Sequence, residues 1–496
     1  METVMFFNKE FIEKALPKAQ ILFDFLPQDI SFSIDSRSIF PSDIFIALSG
    51  KRVDGHDFVK EVLQKKNAGG VIMDRKKKDC LKGLTSDFLN KKLIILVDDV
   101  VESLLLLAGA WRAHWDIPVI GITGSLGKTV TREHIALLLK KKNISYISSA
   151  QNLNSLIGLP LSILKMRDHH EMAVFEMGIN KRGEMERLAD ALMPTIGLVT
   201  SIGHSHLEGL GSLNDIAIEK RNVFKNFSEE NIGIINGDQP HLAKVAYNHP
   251  VIKFGLKTTN QIQARKIQVN SDSITFILKI YQKKYPIKLS TNHEGSIMTA
   301  LSVAALGSLL GIDHETIVDT IQTAVTVFGR YQHLTLKNNK GILINDCYNA
   351  SPESTKMALL AFDKLETPHS KIAVLGDMLE LGIDSAFWHR QLGRFLRKTP
   401  SIKRVILVGT HIKVAEATLP AGVEYDLVDT SKEALSLVKK YLKDASAIFV
   451  KGSNALKLSL VVDGLAVKQN TFSAAKKTNS IVASEISPLE KDIRVF

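Results

Sequence analysis

The segment Gly121–Thr129, GITGSLGKT, follows directly on the apolar run Pro118-Val119-Ile120. A strand that ends in a glycine-rich loop and continues into Lys-Thr is a phosphate cradle. Backbone N–H groups and a helix N-terminus face the anion, Lys128 can reach the β/γ-phosphates, and the Thr129 hydroxyl can take a place on Mg²⁺. Gly124, Ser125, Gly127, Lys128 and Thr129 are therefore the expected nucleotide contacts on this loop. The general pattern G-x-x-x-x-G-K-[ST] requires glycine at 122, where this chain carries Ile122; its glycines fall at 121, 124 and 127. That departure separates the loop from the ordinary P-loop and narrows the class of enzyme.

A βα alternation runs through the region. Apolar runs at Val119–Ile122, Met172–Phe175, Ile196–Val199 and Ile232–Ile235 end in polar residues, including Glu176, Thr200-Ser201 and Asn236-Gly237-Asp238. In open α/β sheets ligands sit beyond the carboxyl ends of the strands, so one shared site is expected there. Glu176 closes its strand where a carboxylate could hold a metal opposite Thr129. Near Phe328-Gly329-Arg330 the pattern restarts, with strand candidates Ile342–Ile344, Ile372–Leu375, Val405–Val408 and Ile448–Val450. A second α/β unit is expected here.

A length of 496 residues suits about three domains at roughly 150 residues each. The net charge of +11 favours anionic partners. Aromatics make up only 7% of the chain and no basic run is interleaved with them, so nucleic acid is not an expected partner. Cys80 and Cys347 lie far apart and form no metal or redox spacing. No signal peptide and no membrane-length apolar stretch is read, so a cytoplasmic protein without membrane insertion is expected.

The segments GITGSLGKT, NLNSLIGLPLSIL, FEMGINKRGEM, HLEGLGSLNDIAIEK, GRYQ, DCYNASPES, GDMLELG and VKGS, in this order, resemble the Mur ligases. These are ATP-dependent acid–amino-acid ligases of peptidoglycan precursor synthesis. The resemblance covers about residues 30 to 460. Within the family, IDSRSIFPSDIFIALSGKRVDGHDF and DCYNASPES look most like the branch that joins D-alanyl-D-alanine to UDP-N-acetylmuramoyl-tripeptide through an acyl phosphate. The resemblance implies a three-domain α/β architecture. A small UDP-precursor-binding domain would span 1–115, a central P-loop ATPase domain 116–328 and a C-terminal Rossmann-like domain 329–470, with a polar tail at 471–496.

The resemblance also implies roles for individual residues. Catalysis falls to Lys128, His206 and Lys220, and Mg²⁺ to Thr129, Glu176, His206 and a carbamylated Lys220. Asn152, Arg330 and Asp346 join the loop in holding ATP. Asp35, Ser36, Arg37, Asp54, His56, Asn154, Tyr348 and Asn349 are the substrate contacts. Departures from the family pattern are Ser155, Asn345 and Asn454, together with Gly295 and Thr299 where a histidine and an asparagine are expected. A monomer is expected. The alternatives are a Mur ligase adding a single amino acid, a P-loop phosphotransferase, and a nucleotide-gated binding protein.

Overall fold

Apolar runs with polar ends build three sheets. The computed structural model describes residues 7–25, 30–50, 53–150, 152–337, 341–367, 370–442 and 446–467; the tail at 471–496 lies outside them. The first sheet comprises β1 (Gln20–Asp24), β2 (Ser31–Ser33), β3 (Asp43–Ile46), β4 (Gly70–Asp74) and β5 (Leu93–Val97), in the order β1-β5-β4-β3-β2. Only the β1/β5 pair is antiparallel.

The second sheet holds β6 (Val119–Thr123), β7 (Tyr146–Ser148), β8 (Met172–Glu176), β9 (Ile196–Val199), β10 (Ile232–Asn236), β11 (Val251–Gly255), β12 (Ile262–Val269), β13 (Ile274–Ile280) and β14 (Lys283–Leu289). Their order is β14-β13-β12-β11-β10-β9-β6-β8-β7. The pairs from β7 across to β12 are parallel, and β12, β13 and β14 form an antiparallel extension. Parallel strands need both faces covered. Ile120 and Ile122 point into one core together with Ile135, Leu138 and Leu139 of the helix Lys128–Lys141, while Val119 points into the other.

That second core continues into the first sheet. Leu104, Leu107 and Trp111 of the helix Val100–Arg112 pack in it beside Ile44, Ile46 and Ile72. The buried Arg112 guanidinium caps this junction, donating to the carbonyls of Leu192 (3.0 Å), Met193 (3.1 Å) and Trp115 (2.7 Å).

The third sheet contains β15 (Gln332–Thr335), β16 (Ile342–Asp346), β17 (Ser370–Gly376), β18 (Ile402–Val408), β19 (Glu424–Val428) and β20 (Ser446–Lys451), in the order β15-β16-β20-β17-β18-β19. Its β17 residues alternate between two cores, Ile372 and Val374 on one side and Ala373 and Leu375 on the other. The fold is thus three-domain α/β, each domain built on its own sheet.

Most of the apolar runs read from the sequence extend by one or more residues, so that Thr123, Glu176, Asn236, Asp346 and Lys451 are the last residues of their strands. The β12–β14 extension was not anticipated. Its β13 residues Ile274, Phe276, Leu278 and Ile280 are buried and alternate with partly exposed Thr275, Ile277 and Lys279, the period of a strand with one covered face.

Candidate functional site

The carboxyl ends of β6, β8 and β9 open into a cavity of about 1810 Å³ that all three sheets help to line. After Thr123 the chain turns through Gly124 at φ +146°, and a Cβ there would collide with Thr200 Oγ1. Gly127 sits at φ +84° immediately before the helix Lys128–Lys141. Only glycine takes these conformations without strain. The loop is stitched to the end of β9: Ser125 N donates to Ser201 O (2.8 Å), Leu126 N to Ser201 Oγ (2.9 Å), and Ser125 Oγ to Gly203 O (2.9 Å). Ile122 lies in the strand with its side chain in the core, which explains why glycine is not needed at that position.

Lys128 folds back over the loop and donates to Gly124 O at 2.6 Å. Burial pushes its ammonium down, Glu176 draws it back up and Arg330 pushes it down again, for a pKa of about 8. Glu176 is almost wholly buried. Its Oε2 accepts from Thr129 Oγ1 (3.1 Å) and Asn154 Nδ2 (3.4 Å). Its Oε1 lies 3.2 Å from Arg132 Nε, yet neither atom has a hydrogen bond. Arg132, which the sequence reading missed, therefore balances the charge of Glu176 without saturating it. Oε2 stands beside the Thr129 hydroxyl, and a carboxylate and a hydroxyl oxygen side by side are the hard donors that a divalent cation takes.

Lys220 is carried by the helix Leu213–Arg221, whose start is fixed by a Ser212/Asp215 capping box. It is 1% exposed. Among the described residues its amine has no hydrogen bond or ion pair. Burial drives its pKa well below the ordinary lysine value, and the charge of Lys128 adds to this against Glu219. Lys220 does not line the cavity.

His206, at φ +56°, begins the short helix Leu207–Leu210 and lines the cavity, with Nδ1 against the Glu380 carboxylate of the third domain. Two residues earlier, His204 Nδ1 lies 2.5 Å from Glu353 Oε1, and its backbone N–H donates to the same carboxylate. These pairs, with Glu208 N donating to Glu380 O at 3.0 Å, seat the third domain on the second. Among the described residues no group of three or more His, Cys, Asp or Glu side chains stands together as a metal cluster. Thr129 and Glu176 are the only members of the expected metal set in mutual contact.

Across the cleft, the Arg330 guanidinium stacks 4.0 Å over the Tyr348 ring. Asp346 is engaged by Lys451 Nζ (2.7 Å) and by Tyr331 N (3.1 Å), and Lys451 also donates to Asn349 O (2.9 Å). Asn345, fully buried, donates to Gln332 Oε1 (3.0 Å) and accepts from Cys347 N (3.3 Å). Among the described residues its hydrogen-bond partners are all neutral, and an amide suits such a position better than a carboxylate. Ser155 accepts from the N–H groups of Ile157 and Gly158, so it caps the turn there. A Cβ on Gly295 would lie 2.8 Å from His293 Cε1; the His293 ring fills that space.

In the first domain, His56 lines the cavity, whereas Asp35, Ser36, Arg37 and Asp54 do not. Asp35 is bound to Arg37 (2.9 Å). Asp54 accepts from His56 Nδ1 (2.7 Å) and is paired with Lys77, while His56 Nε2 accepts from Asp74 N (3.0 Å). Partial burial pushes the Asp54 carboxyl up, but Lys77 and His56 outweigh it and hold its pKa at about 2. Asn152, Asn154, Tyr348 and Asn349 line the cavity with the phosphate loop.

Three family models match in order: "Mur ligase family, catalytic domain" over residues 31–92, "Mur ligase middle domain" over 122–307, and "Mur ligase, glutamate ligase domain" over 329–454. The UDP-N-acetylmuramoyl-tripeptide--D-alanyl-D-alanine ligase of Bacillus subtilis (strain 168) is 32% identical over 436 residues, 87% of this chain and 92% of that protein. The enzyme of the same name from Treponema pallidum (strain Nichols) is 33% identical over 72% of this chain and 76% of its own. Among solved structures, MurF ligase from Thermotoga maritima in complex with ADP matches with a TM-score of 0.73 and 28% identity, covering 88% of this chain and 96% of that one. A MurF from Acinetobacter baumannii matches in fold with a TM-score of 0.80, over 93% and 98% of the two chains. On these matches and on the loop, cleft and three sheets described above, the chain belongs to the Mur ligase family.

Proposed function

We propose that the protein is an ATP-dependent ligase that joins D-alanyl-D-alanine to UDP-N-acetylmuramoyl-tripeptide, giving the pentapeptide precursor of peptidoglycan, ADP and phosphate. The observation that carries this reading is the near end-to-end match to relatives named for that reaction, 92% of one of them at 32% identity. The geometry agrees with it: one cleft receives side chains from all three domains, as a reaction with three substrates requires. Among the described residues no helix is long and apolar enough to cross a membrane.

The chemistry begins with a poor electrophile. An oxygen of the tripeptide carboxylate takes the γ-phosphoryl group of ATP, and ADP leaves. The dipeptide amine then attacks the acyl carbon; the C–N bond forms, the C–O bond to phosphate breaks, and the amine gives up its proton. Anions are crowded together in both steps, so preplaced cations lower the barrier. Lys128 holds the phosphates at the loop and Arg330 faces them from the third domain. Mg²⁺, held by Thr129, Glu176, His206 and a carbamate on Lys220, would supply positive charge to the phosphoryl oxygens.

Carbamylation requires a neutral amine, which adds to CO₂ with loss of one proton. The burial of Lys220 and the nearby charge of Lys128 favour that neutral form. The resulting anion would lie beside Lys128, turning a like-charge pair into an attractive one. Third-domain contacts at His204–Glu353 and His206–Glu380 close the cleft and keep water from the acyl phosphate.

The test is phosphate release from ATP with UDP-N-acetylmuramoyl-tripeptide, with and without D-alanyl-D-alanine, and the mass of the product. Dipeptide-dependent release with a pentapeptide product is expected. Release with a single amino acid instead, or a stable phosphorylated product, would overturn the reading.

A further inference from the structure

The antiparallel extension β12–β14 carries a charge pattern that the cleft does not use. Residues 262–289 hold six basic side chains and one acid, and that acid, Asp272, stands in the turn between β12 and β13. One face of the extension is committed to the core through Ile274, Phe276, Leu278 and Ile280. Register fixes what the other face shows. Lys279 lies opposite Lys284, Ile277 opposite Pro286, and Thr275 opposite Lys288. Directly paired residues share a face, so the three lysines stand around the half-buried Ile277 and the exposed Pro286. Arg265, opposite Ile277 on β12, adds a fourth cation; its guanidinium is held along the sheet by Gln263 Oε1 at 2.9 and 2.8 Å. Like charges directly opposite on neighbouring strands destabilise a sheet. Among the described residues none of the three lysines has an ion pair or a side-chain hydrogen bond that would offset this. At the β13–β14 turn, the end of β13 away from Asp272, Tyr281 is 46% exposed and Lys283 is exposed close by. None of these side chains lines the cleft.

Cations spread over an open face, with apolar side chains among them and a tyrosine at the rim, suit a broad anionic surface better than a single phosphate or carboxylate. Lysine ammonium groups reach lipid phosphates while their stems lie along apolar neighbours, and tyrosine favours the same headgroup level. We propose that this face of β12–β14 docks the protein on an anionic lipid surface, by contact and without insertion. The assignment is independent of the ligase reading and is tested by binding rather than turnover. The full chain would be sedimented with vesicles of phosphatidylcholine, alone or mixed with phosphatidylglycerol. The wild type is expected to pellet with the mixed vesicles at low salt, to ignore phosphatidylcholine, and to be released by high salt. Lys279→Gln, Lys284→Gln and Lys288→Gln together should weaken that binding about a hundredfold, whereas Lys432→Gln, Lys439→Gln and Lys440→Gln, the same charge change on the helix Ser431–Tyr441, should leave it within about threefold. The first triple variant should resist urea at least as well as the wild type, because it relieves the opposed lysines, so its loss of binding does not reflect folding. Equal weakening by the two triple variants would show that net charge, not this face, draws the protein to lipid, and the assignment would be wrong. A wild type that fails to pellet with the mixed vesicles also overturns it; capture of poly-glutamate through the same lysines would then make the partner an acidic protein.

Discussion

Replacing Lys220 by methionine separates what this residue costs the fold from what it does for the reaction. The amine is buried without an acceptor and beside Lys128, so its charged form is disfavoured in the native state and free in the unfolded chain. The sign follows from linkage. The folded pKa is depressed, so at any pH between it and the unfolded value near 10.4 the unfolded chain holds one more proton. Native stability therefore rises with pH across that window, by up to about 1.4 kcal/mol per unit; below it the Lys220 contribution no longer changes with pH and its full penalty remains. Methionine has similar volume and no charge, and volume-conserving swaps cost less than about 1.5 kcal/mol. In CO₂-free buffer, Lys220→Met should be at least as stable as the wild type at pH 7, and the advantage should shrink steadily towards pH 10. Ligase activity should be lost. Urea denaturation at several pH values on both proteins measures the difference directly, because other groups contribute equally. A Met variant with the same pH slope as the wild type would show that Lys220 is not a suppressed amine, and the carbamate argument would fail with it.

Other expectations follow from the same geometry. Gly124→Ala forces a side chain into Thr200 at a positive φ; it should cost about 1–3 kcal/mol of stability and weaken ADP binding, read by urea denaturation and calorimetry. Lys128 is cationic below its pKa and neutral above it, so kcat/KM for ATP should fall as pH rises through about 8, and Lys128→Arg should move that limb upward. Asp346→Asn leaves the buried Lys451 ammonium without its anion and should destabilise the protein by about 3–5 kcal/mol in thermal or urea unfolding. Removing divalent cations with a chelator should stop turnover, and Mg²⁺ should restore it.

Much of the cleft was legible because it is local in sequence. The phosphate loop and Glu176 mark themselves as polar residues at the ends of apolar runs, and Ile122 signalled a loop of a particular kind. Features made by distant residues carry no such signal. His204 meets Glu353 across 149 positions, and Lys451 meets Asp346 across 105. The resemblance implies a substrate role for Asp54, and nothing in its segment shows that its carboxylate is also held by His56 and by Lys77, 23 residues on. Arg132 lies one turn beyond the loop and was not singled out, because nothing in the helix sequence reveals that its side chain turns in towards Glu176. The β12–β14 extension escaped because Lys, Arg and Gln interrupt the apolar residues of its strands, which therefore do not stand out as continuous apolar runs.

The central claim is that ATP is spent on making a carboxylate electrophilic, and the fate of one oxygen tests it. With ¹⁸O placed in the terminal carboxylate of UDP-N-acetylmuramoyl-tripeptide, the oxygen that attacks the γ-phosphorus must depart with phosphate when the amide forms. The account predicts one ¹⁸O in the phosphate released in each turnover, dependent on D-alanyl-D-alanine. Phosphate free of ¹⁸O, released alongside the pentapeptide product, would contradict it.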